Sequence, residues 1–167
     1  MDLTPYVGWI VFLHVAGAFA FVAGHGVSIF VAFQIRQERD RGRLGALLDL
    51  SARSLTTAGI GLLILFVSGI VAGIVLGSFG SAWIWISLVL LVVIAGAMNP
   101  VGTVYLSRIR AALGQRTRGI KPTDPDPIPA SDAELATLLD SPRPQQLLLL
   151  GGGGFLVILY LMMFRPF

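Results

Sequence analysis

Four stretches of this chain, residues 6–33, 55–77, 82–106 and 147–164, contain no Asp, Glu, Lys or Arg. Crossing the hydrocarbon core of a bilayer takes about 20 apolar residues, and a backbone there must satisfy its own hydrogen bonds. Runs of this length therefore predict transmembrane helices. A hydrophobic content of 55% against 13% charge agrees, since soluble domains carry about twice that charge. The expected fold is all-α: a polytopic membrane protein forming a four-transmembrane-helix bundle, one domain over 1–167, with the lipid bilayer as its main partner. The basic excess of +3 lies in the connections 34–54 and 107–146, so topology explains it and a nucleic-acid partner is not expected. Cysteine is absent, which excludes disulfides, thiolate metal sites and c-type haem attachment.

Lys and Arg resist translocation, so their distribution predicts orientation. Arg36, Arg39, Arg41, Arg43 and Arg53 join the first two spans, while Arg108, Arg110, Arg116, Arg118, Lys121 and Arg143 join the last two. The 78–81 connection is uncharged. Both termini are expected outside and both charged connections in the cytoplasm, in a bacterial inner membrane. Tyr6, Trp9, Phe79, Trp83 and Trp85 fall at the predicted outer boundary, where amphipathic rings favour the headgroups. Asp2 without a nearby basic residue is unlike the start of a cleaved signal, so the first span is expected to be retained.

Short surface helices are expected in both connections. Leu44, Leu47, Leu48 and Ser51 have helical spacing, and Asp49 precedes Arg53 by one turn as a supporting ion pair. Pro122, Pro125, Pro127 and Pro129 predict extended chain. Ser131 with Glu134 is a capping-box pattern, followed by a Leu135, Leu138 and Leu139 stripe that would lie on the bilayer or another subunit, with Pro142 as the stop.

Lipid gives no hydrophobic reason for helices to associate, so small residues that permit close approach are expected at contacts. Gly69, Gly73 and Gly77 repeat on one face of the second span and predict either internal packing or a homo-oligomer seam. The Gly151 to Gly154 run lacks the Lys and Ser or Thr of a phosphate loop. It predicts close contact or an irregular helix start. Pro100 should bend the third span, with Asn99 bonding to a neighbour or lining a polar pocket.

The chain has two histidines, His14 and His25, both on the first span. Their spacing brings them within about 20° of one face, roughly 16 Å apart along the axis. Ionisable groups at membrane depth usually face the bundle interior, and three roles compete. The imidazoles could simply bond helices together in a scaffold or accessory subunit. They could bind haem b in a redox or electron-transfer subunit, with Met98 as a partner for His25, since both lie some 22–28 Å from the outer boundary. For His14 the nearby candidates are Tyr160, Met162, Met163 or the same residue of a symmetry mate in a homo-oligomer or larger membrane complex. In the third reading His14 and His25 are metal ligands, with Met98 suited to copper(I), in copper or small-solute transport.

The stretch Trp9-Ile-Val-Phe-Leu-His14-Val-Ala-Gly-Ala-Phe-Ala-Phe-Val-Ala-Gly24-His25-Gly resembles the opening helix of a bacterial family of predicted four-span integral membrane proteins of unknown function. That family distantly resembles copper-resistance protein D and the membrane protoporphyrinogen oxidase, whose first helices also begin with a Leu-His pair. The resemblance implies a haem or metal site on the first helix, with His14 as the associated residue.

Overall fold

The computed structural model describes residues 2–117, 121 and 123–166; Arg118, Pro122, Phe167 and the side chain of Asn99 lie outside them. Among the described residues the secondary structure is entirely helical. Four helical stretches are long and apolar enough to cross a membrane. The elements are α1 (Val7–Gln34), α2 (Arg41–Val75), α3 (Ala82–Met98), α4 (Val104–Ala112), α5 (Asp132–Leu139), α6 (Arg143–Leu147) and α7 (Gly154–Phe164). A π-helical turn, Asn99–Thr103, joins α3 to α4, and a second, Leu148–Gly153, joins α6 to α7.

α1 and α2 form an antiparallel pair whose backbones nearly touch. A methyl group added at Gly17 would sit 2.6 Å from the Leu65 nitrogen, and one at Gly24 would sit 2.6 Å from the Ala58 nitrogen. Gly61 faces the backbone of Ala20 and Phe21 in the same way. Gly17, Gly24 and Val31 are spaced by seven, as are Leu44, Ser51 and Ala58, and all six are buried. That is the period of a left-handed antiparallel seam. Ser28 and Ser51 close it with a buried 2.8 Å hydrogen bond between their hydroxyls.

The fully buried side chains concentrate beyond the apolar level, at the charged end. Val31 of α1 and Ile35 just after it, Leu44 and Leu48 of α2, Tyr105 and Ile109 of α4, and Leu135 and Leu139 of α5 form one cluster. Apolar burial is favourable where water is the alternative, whereas the membrane-level flanks keep large side chains such as Phe19, Leu63 and Val92 exposed. This corrects two expectations. The helix of the first connection is no separate surface element: α2 runs unbroken for 35 residues, roughly 52 Å, well beyond a bilayer core. The α5 stripe packs into this chain's own cluster rather than onto lipid or another subunit, although its capping box forms as expected.

Ion pairs tie the two charged connections to each other. Arg36 meets Asp140 at 3.3 Å, Arg41 meets Asp132 at 2.7 Å, and Arg110 meets Asp49 at 2.7 Å. Asp49 thus pairs across the bundle and not with Arg53, because α2 and α4 are neighbours here. Each exposed pair contributes little alone, but together they fix both connections at one end. In the turn between α1 and α2, Glu38 accepts backbone N–H bonds from Asp40 and Arg39, which hold its carboxyl below the usual range.

At the opposite end Gly77 adopts φ +64° and terminates α2 in a left-handed turn. Gly69 faces the His14 ring, and Gly73 faces Ile84 and Phe79. The three glycines therefore do not form a single seam: two accept side chains and the third makes the turn. Trp9 and Trp85 are exposed, while Trp83 is buried with the Arg165 guanidinium 5.5 Å from its ring centre. Gly24→Ala should destabilise the protein by about 1–3 kcal/mol through forced separation of α1 and α2. Gly26→Ala, with open space at its Cβ position, should be close to neutral. Thermal unfolding of both variants in detergent checks the contrast.

Candidate functional site

The two histidines share a stripe on α1 but meet different neighbours. His14 Nδ1 lies 2.8 Å from the Leu65 carbonyl oxygen. A carbonyl only accepts, so Nδ1 carries the proton and donates, leaving Nε2 as the lone-pair nitrogen. Gly69 gives the ring its space, since a methyl there would sit 2.8 Å from Cε1. His14 is thus held by α2. Tyr160 and Met163 of α7 are exposed.

His25 lies three turns further along. Its ring stacks on Phe21, one turn earlier, with the planes 5° apart and centroids 5.5 Å apart. Nε2 is fully buried and has no hydrogen-bond partner. It points at Gly151, where a Cβ would collide with it. The glycine run of the fourth span supplies this clearance, and the π-helical turn Leu148–Gly153 presents it. The irregular start expected from four glycines is observed, and so is the close contact. Gly154 similarly accepts the Ile94 side chain.

The same ring borders a cavity of about 200 Å³ lined by residues of all four spanning stretches. Met98 lines it from the end of α3, Gly102 and Thr103 from the π-helical turn that contains Pro100, and Ser28 from α1. Pro100 lacks the N–H that an α-helical ladder needs, which accounts for a local departure of this kind. Two widened turns on facing helices therefore flank one imidazole. Ser28 is already bonded to Ser51, whereas His25 Nε2, packed against Gly151, is a buried polar atom without a hydrogen-bond partner.

A second, broader cleft of about 330 Å³ lies between α2 and α3 and is lined by Leu63, Phe66 and Val92. Gly59, Leu62, Leu91 and Ala95 border both spaces. Leu63 and Val92 are among the side chains exposed on the membrane-level flank.

The cavity allows a direct fit test for haem b. Pockets for cofactor-sized molecules are about 300–1,000 Å³, and an apolar cavity of about 150 Å³ takes one benzene ring. The 200 Å³ beside His25 accommodates a single substituted ring and falls short of a porphyrin. His14 borders neither space. Neither of these two spaces offers a porphyrin-sized site at both His14 and His25. His25 and Met98 do share one cavity, but among the described residues no three His, Asp or Glu side chains gather as a metal-binding group.

Fold and site together define a multi-span helical membrane protein with an internal cavity headed by one unpartnered imidazole. Compared with protein-family models, curated proteins and solved structures, the chain matches none. The geometry separates the histidines energetically. His14→Leu should cost about 0.6–2 kcal/mol, the range for a hydrogen bond between membrane helices. His25→Leu should be neutral or stabilising, because it removes a buried polar atom that has no partner. Unfolding midpoints in detergent measure both signs.

Proposed function

We propose that the protein is a small subunit of the bacterial inner membrane that binds a ligand at His25 within the bilayer, serving a redox or accessory role. The observation that carries this reading is the buried, unpartnered Nε2 of an imidazole whose ring borders a cavity. An orphaned polar group is costly in a medium without water and persists where a ligand completes it. His14 is assigned the structural role of joining α1 to α2, despite the resemblance that implies it as the haem residue.

The orientation belongs to the same proposal. Both charged connections face the cytoplasm, placing the Ser78–Gly80 turn outside. The cysteine-free sequence suits this for labelling. In intact cells Ser78→Cys should react with a membrane-impermeant maleimide, and Thr123→Cys should react only after permeabilisation. The reverse pattern inverts the topology.

The ligand reading is tested by an absorption spectrum, metal analysis and lipid extraction of the purified protein. A bound species that is lost in His25→Leu and retained in His14→Leu supports it. A species retained by folded His25→Leu refutes it. Copper held by His25 and Met98 is the second reading, favoured by their common cavity; it predicts stoichiometric copper lost in Met98→Leu.

A further inference from the structure

We propose that Arg53 and Arg108 head sites for anionic phospholipids, with each guanidinium on a headgroup phosphate and the acyl chains along the exposed apolar faces below. This is independent of the ligand reading of His25. Charge in this chain is segregated by depth. Within four residues of the charge-free stretches, on the side of the long connections, lie Arg36, Arg53, Arg108, Arg110 and Arg143, and no Asp or Glu. A helical turn rises about 5.4 Å and each headgroup region is roughly 5–7 Å deep, so this basic layer falls at the level of the phosphates.

Part of the layer is committed within the chain. Arg36 pairs with Asp140, Arg110 pairs with Asp49, and Arg143 donates to Gln146 at 3.2 Å. Asp49 is the carboxylate one turn from Arg53 on α2, and its capture by Arg110 leaves Arg53 free. Arg53 and Arg108 are both exposed and form no ion pair among the described residues. The helix face below Arg53 is apolar and open. Arg53, Ile60, Val67 and Ile74 are spaced by seven, close to two turns each, and all four are exposed. Thr57 adds an exposed hydroxyl one turn below Arg53. Val104, one turn nearer the membrane than Arg108, is exposed as well.

A guanidinium grips a phosphate through two parallel N–H donors and stays charged at any working pH. A net negative headgroup suits it better than phosphatidylcholine, whose quaternary ammonium offsets the phosphate charge. An acidic protein fits less well. Further from the membrane Glu38, Asp40, Asp132 and Glu134 are interspersed with Arg41 and Arg43, so the outer surface has no single sign to offer.

The test titrates the full chain in dodecyl maltoside with dioleoyl phosphatidylglycerol or dioleoyl phosphatidylcholine. Native mass spectrometry counts the retained lipid, and thermal unfolding checks each variant's fold. Arg53→Gln and Arg108→Gln each remove one charge from the layer, whereas Arg43→Gln removes one charge from the outer surface. Phosphatidylglycerol should bind in preference to phosphatidylcholine. Each layer variant should weaken phosphatidylglycerol about fivefold, the worth of one basic residue beside an anionic membrane surface, and leave phosphatidylcholine unchanged. Arg43→Gln should bind as wild type does.

Unchanged phosphatidylglycerol affinity in folded Arg53→Gln or Arg108→Gln overturns the site at that residue. Equal weakening in Arg43→Gln reduces the effect to general charge attraction and overturns both, as does equal binding of the two lipids. Displacement of the lipid by inorganic phosphate or by glycerophosphoglycerol overturns the lipid as occupant and makes these sites for a free phosphate.

Discussion

The approach of α1 to α2 through backbone contact is the constraint on which the rest of the molecule depends. Gly17, Gly24 and Gly61 leave no side-chain layer at the crossing, so the helix axes are set by main-chain contact. Dispersion at this distance supplies an attraction that the hydrophobic effect cannot supply in lipid. Fixing this pair fixes the direction of each histidine. His14 reaches a carbonyl of α2, and His25, three turns later, clears α2 and faces the second half of the bundle. One stripe on one helix therefore serves two purposes, and the crossing angle decides which imidazole gets which.

Two different environments stabilise the two ends. At the charged end a small core resembling that of a soluble domain forms from Ile35, Leu44, Ile109 and Leu139, and cross-connection ion pairs surround it. At the membrane level the packing is looser away from the α1–α2 seam, and the cavity and cleft lie where the two helix pairs meet. The candidate site thus sits at a loosely joined interface, which suits the ligand-binding role proposed for it.

Much of the architecture was legible because each span is a charge-free run and because the capping box at Ser131 and Glu134 is a local signal. The charged-end core was not. The Leu44 and Leu48 stripe and the Leu135 and Leu139 stripe were both visible, but only the three-dimensional arrangement shows that they face each other. The seam was legible only in part: Gly69 and Gly73 do pack within the bundle, but the closest backbone approach lies elsewhere. Gly69, Gly73 and Gly77 advertise a repeat within one helix, whereas the true contact uses glycines spaced by seven on α1 against Gly61 and Ala58 of α2. At the site, His25 and Met98, matched in the sequence by depth as possible haem ligands, line one space. The contribution of Gly151 was visible only as a glycine run, since clearance for a ring on another helix leaves no periodic trace.

The α1–α2 seam also bears on how the chain reaches its final form. Every contact in it lies within the first half of the polypeptide, so this hairpin is able to lock together while the ribosome is still making the remainder. The charged-end core needs α4 and α5, and the cavity needs Gly151, which follows both in the chain. Biogenesis on this plan proceeds from a rigid hairpin to a closed bundle, and the pocket is the last part to exist.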